Sequence, residues 1–118
     1  MITVTLKQND PTRYLRLTVE GHANSGEVGH DLVCASSSIL AYTAAQIIHT
    51  MDKHGDLKGD PLIELQNGMG IVSCRCKTDD IYAEAAHALF VVQVGFQLLE
   101  HNYPQYVKLI TDGKAEKL

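Results

Sequence analysis

The hydrophobic period of this chain switches from two to about 3.6 and then does so again, which limits the fold more than any other feature. Ile2, Val4 and Leu6 alternate with Thr3, Thr5 and Lys7, as in a half-buried strand. After the turn cluster Gln8-Asn9-Asp10-Pro11, alternation resumes through Leu15, Leu17 and Val19 to Glu20-Gly21. So short a turn between two such segments predicts an antiparallel hairpin. Val33, Ser37, Leu40, Ala44, Ile47 and Met51 then recur at helical spacing, with Asp31 as the expected N-cap and Gly55 as the stop. Leu62-Ile63-Glu64-Leu65 and residues 71–76 form a second strand pair through Asn67-Gly68-Met69-Gly70, where Gly70 leaves room for a bulge. Thr78-Asp79-Asp80 caps a second helix with the spine Ile81, Ala85, Ala88, Val92, Phe96 and Leu99, closing near Tyr103-Pro104. Residues 106–110 are compatible with a last short strand.

The order ββαββα, with a possible final strand, predicts the α+β class: an antiparallel or mixed sheet of four to five strands carrying two long helices. Residues 1–118 are expected to form one domain. With 45% apolar and 20% charged residues, disorder is not expected. A net charge of −4 without a basic cluster argues against direct nucleic-acid binding. The start lacks the basic and apolar blocks of a secretion signal, and no apolar run is expected to span a membrane. Three cysteines, at 34, 74 and 76, do not make a closed disulfide framework, so a reducing, cytoplasmic location is expected. The second helix is apolar on almost every side around Leu89-Phe90-Val91-Val92, and a homodimer contact would cover it.

Chemistry concentrates where the second strand passes into the first helix. His22 follows the strand-ending Gly21, and a loop holding Gly26 and Gly29 leads to Asp31 and Cys34. With Asp31 as cap, Cys34 is the third helical residue, where unpaired amides and partial positive charge favour thiolate. An imidazole within reach would then complete a Cys–His pair for nucleophilic catalysis, most simply a cysteine hydrolase. His22, on a strand end, is a better base than His30 on the loop. Ser38, one turn below Cys34, can touch substrate or bond back to the backbone. Bland readings compete: buried cysteines are often small core hydrophobes, and Asp31 can serve as a cap alone. Cys74 and Cys76 share one strand face without CxxC spacing, which favours a core role over a metal site. No metal or cofactor is expected. Two other functions fit the residues: a non-catalytic peptide-binding module (a ribosome-assembly module under the resemblance described next), and a small metal protein using His22, His30 and Cys34.

The run GHANSGEVGHDLVCASSSIL resembles the signature of the ribosomal-processing cysteine protease (Prp, YsxB-like) family. The matching positions are Gly21, His22, Ala23, Gly29, Asp31, Leu32, Val33, Cys34, Ala35, Ser38 and Leu40, with spacing intact. The resemblance implies Cys34 as nucleophile, His22 as base, Asp31 as a supporting residue and a homodimer. It also implies a substrate, the N-terminal extension of a large-subunit ribosomal protein, cleaved after an aromatic-containing segment, hence an apolar groove beside Cys34. The loop at 24–28 lacks the aromatic residues that family members often carry there.

Overall fold

The computed structural model describes residues 1–21 and 30–112, and the side chains of His30 and Asp31 lie outside that description. Its elements are β1 (Ile2–Asn9), β2 (Tyr14–Glu20), α1 (His30–Lys53), β3 (Leu62–Gln66), β4 (Met69–Arg75), α2 (Asp79–Asn102) and β5 (Val107–Thr111). The strands form one mixed sheet in the order β3-β4-β2-β1-β5. The two predicted hairpins pair antiparallel, and β2 joins them by pairing with β4. β5 lies parallel to β1, a pairing that needs a long connection and so closes the chain across the whole fold. The α+β expectation holds, with the final strand present.

Register places the alternating apolar residues on one face: Leu6 opposite Leu17, Leu17 opposite Val72, and Val4 opposite Leu109. That face meets Val33, Ala44 and Ile48 of α1 and Leu89, Val92 and Phe96 of α2 in one core. Each fully buried apolar side chain here contributes roughly 1.5–3 kcal/mol. α1 lies against β2 and β4, α2 against β1 and β5, and the helices pack on each other.

Four local expectations change. α1 begins at His30, so Asp31 is the second helical residue rather than the cap. Gly70 makes no bulge, because it pairs in register with Leu65, and a Cβ there would sit 3.2 Å from Leu65 Cδ2. On α2 the buried row is Tyr82, Ala85, Leu89, Val92 and Phe96, so Tyr82 and Leu89 replace the expected Ile81 and Ala88. Tyr82 tolerates burial because its hydroxyl donates to Asp10 Oδ1 at 2.7 Å. Finally, both long helices are apolar and long enough by composition to cross a bilayer, contrary to the sequence expectation. Their apolar rows instead serve the sheet. Thr78 caps α2 as expected, its Oγ1 accepting from the Ile81 amide at 3.2 Å.

Candidate active site

Cys34 sits on the border between two faces of α1. Val33, Ser37, Ala41 and Ala44 are buried toward the core, whereas Ser38 and Tyr42 are exposed. A residue at that border is half-covered, and Cys34 is a half-buried thiol, outside any disulfide, packed on the edge of the core. Beside it opens a cleft of about 130 Å³. Ile2, Val19, Ala41 and Leu65 give it apolar lining, while Ser38, Gln66 and Asn67 supply polar groups.

The wall away from α1 is the β3–β4 hairpin, from Leu65 to Gly70. Its turn rests on Gly68, whose φ of +83° suits glycine. The Gly68 carbonyl accepts from the Gly21 amide at 3.0 Å, which ties the hairpin tip to the end of β2. Gly21 itself has φ +100°, and a Cβ there would collide with the Met1 carbonyl oxygen. Glycine is therefore required at this position twice over. Gly21 also lines the cleft, so the chain leaves for residue 22 from the cleft's own rim.

The structure thus gathers Gly21, Cys34 and Ser38 around one opening. His22, Ala23, Gly26 and Gly29 lie outside the described residues, as does the side chain of Asp31. Because α1 starts at His30, Cys34 is its fifth residue rather than its third. It lies past the amides that lack an intrahelical acceptor, and the helix-end charge fades within the first turn.

The other two cysteines are built differently. Cys74 and Cys76 are 4% and 1% exposed, inside the core. Burial pushes the Cys74 thiol up to about 12, and the neighbouring Cys76 adds to the rise. Burial also raises Cys76, with Asp56 adding to the rise and a hydrogen bond from Cys74 partly offsetting it. Among the described residues no cluster of three or more His, Cys, Asp or Glu side chains is placed to hold a metal ion. His49, His54, His87 and His101 are exposed.

Sequence reasoning did not identify the β3–β4 hairpin or Ser37 as parts of the site. Asn67-Gly68 signals a turn, but nothing in its spacing says that the turn docks beside Gly21. Ser37 falls on the apolar spine, which hides its position at the cleft.

Comparisons with known proteins show the family. Residues 1–108 match the family described as cysteine protease Prp. The ribosomal processing cysteine protease Prp of Staphylococcus aureus is 32% identical over 110 residues, 92% of this chain and 97% of that protein. Its crystal structure with a substrate peptide superposes with a TM-score of 0.66 at 26% identity, covering 95% of this chain and 100% of that one. A second, with a covalently linked product peptide, gives 0.63 at 27% identity over the same shares. A Streptococcus mutans protein at 23% identity shares the fold, with a TM-score of 0.64 over 94% of this chain and 93% of its own. A thiol at the border of the first helix, an open cleft beside it and a family match along almost the whole length lead to one conclusion: the chain belongs to the cysteine protease Prp family and is a cysteine protease.

Proposed function

We propose that this protease removes the N-terminal extension of a large-subunit ribosomal protein, with Cys34 as nucleophile and His22 as its base. The observation that carries the reading is the Cys34 thiol, half-buried and in no disulfide, on the wall of an open, partly apolar cleft. Two structures of one relative, with a substrate peptide and with a covalently linked product peptide, support peptide cleavage through an acyl-enzyme. In this mechanism the Cys34 sulfur attacks the scissile carbonyl and His22 takes the thiol proton. His22 then returns a proton to the leaving amine, and water releases the acyl group. His22 follows directly in sequence on Gly21, which lines the cleft, and this supports its assignment as the base.

Asp31 supports the imidazole or the backbone, and Ser38 borders the cleft as a substrate contact. The reaction uses no cofactor. The protease acts in the cytoplasm, where its substrate is made, and works as a homodimer. Exposed Phe90, Val91 and Leu98 on α2, with Leu32, Ile39 and Tyr42 on α1, support self-association. Incubation with the long form of the ribosomal protein, read by intact mass, tests the reading. Loss of one N-terminal piece with the wild-type chain and none with Cys34→Ala is expected. An uncut leader sinks the substrate assignment.

A further inference from the structure

The mechanism leaves one buried group at the cleft unused. Ser37 is 4% exposed, lines the same cleft as Cys34 and follows it by three residues, one turn along the same side of α1. Its Oγ is covered from water and has no hydrogen-bond partner among the described residues. A helical hydroxyl has a ready remedy, the carbonyl four residues earlier. Thr43 takes it on this very helix, donating from Oγ1 to the Ile39 carbonyl at 2.6 Å. Ser37 does not. A buried hydroxyl without a partner is destabilising, whereas alanine would fill the position without that penalty and favour the helix.

The surroundings of Ser37 indicate what it is kept for. Ile2, Val19, Ala41 and Leu65 make the adjoining lining apolar. The cleft's volume of about 130 Å³ suits a single side chain, since a cavity of about 150 Å³ holds a benzene molecule. We propose that Ser37 is a specificity-determining residue of the protease. Its hydroxyl turns into the cleft and bonds the polar tip of one substrate side chain whose apolar body fills the space beside Cys34. The favoured class carries a hydroxyl or carboxamide at the end of an apolar stem. The proposal rests on the cysteine-protease reading with Cys34 as nucleophile, and not on the identity of the ribosomal substrate. An apolar isostere in the cleft leaves Ser37 unbonded, so discrimination of about 10- to 100-fold is expected.

The test uses the full chain and a peptide it cleaves, with Tyr/Phe and Asn/Leu exchanged at each position flanking the scissile bond. At one position the wild type should favour Tyr over Phe, or Asn over Leu, by about 10- to 100-fold in kcat/KM. Ser37→Ala should bring that ratio near one while still cleaving the apolar peptide, and Ser37→Thr, which keeps a hydroxyl, should retain the preference. Ser37→Ala should also melt at or above the wild-type temperature, because it removes an unsatisfied group. A wild type with no such preference at any position overturns the proposal, and so does a preference that survives Ser37→Ala. A lower melting temperature for that variant also overturns it, because the hydroxyl is then partnered within the fold. Each of these leaves the Cys34 chemistry standing, whereas undiminished cleavage by Cys34→Ala would remove both.

Discussion

Cys34 and Cys74 carry the same thiol into opposite surroundings. Cys34 stands where the core-facing and open sides of α1 meet, at the mouth of a cleft. Cys74 points into the packed face of the sheet at 4% exposure, its thiol pushed up to about 12. A thiolate is the nucleophilic form, so a site that forbids ionisation also forbids the chemistry. What separates a reagent from a piece of core is thus the face of the element it occupies, more than the residue type. Periodicity carries that information: Cys74 sits in step with Val72 on β4, whereas Cys34 falls one residue off the buried row of α1.

The widest separation between the two should appear in activity. Cys34→Ala is expected to lower peptide cleavage by about 10⁴-fold or more, while Cys74→Ala leaves kcat/KM within about threefold. Equal losses would erase the contrast.

Thiol labelling sharpens it on the native chain. At pH 7 one equivalent of iodoacetamide should enter at Cys34, with Cys74 and Cys76 reacting about 10³-fold more slowly, through opening of the fold. Mass mapping of the labelled peptides reads the ratio.

The buried pair should instead show itself in stability against pH. An acid whose native pKa lies above its unfolded value keeps its proton longer when folded. For Cys74 the unfolded value is 9.0 and the native one about 12, so stability present below pH 9 is lost as pH rises across that window. Tyr82 acts in the same sense, raised first by burial and then by its hydrogen bond to Asp10. The total loss is on the order of a few kcal/mol. Cys74→Ala should flatten the slope above pH 9 in urea melts, while lowering stability at pH 7 by about 1–2 kcal/mol through lost packing. An unchanged slope would place Cys74 outside the core.

Much of the fold was legible because the local signals agreed with one another. Alternation located β1, β2 and the β3–β4 pair, and Thr78 marked the start of α2. Less legible was whatever depends on distant partners. The parallel seat of β5 beside β1 follows from packing across the chain, and no local pattern announces it. The buried row of α2 was misplaced at Tyr82 because a phenol looks too polar for the core until Asp10, from the first turn, receives its hydroxyl. At the site, Cys34 and Ser38 could be read from helical spacing. The opposite wall could not, because only folding brings the Gly68 carbonyl to the Gly21 amide. Asp31 as a cap failed for a smaller reason: the helix starts two residues earlier than the capping pattern suggested.

Trapping the intermediate tests the contrast most directly. The wild-type chain is mixed with a cleavable peptide, quenched in acid within the first turnover, digested and mapped by mass. An acyl adduct on the fragment containing Cys34, with none on the fragment holding Cys74 and Cys76, is the result expected. An adduct on the Cys74–Cys76 fragment, or turnover with no adduct at Cys34 under any quench, would contradict the account.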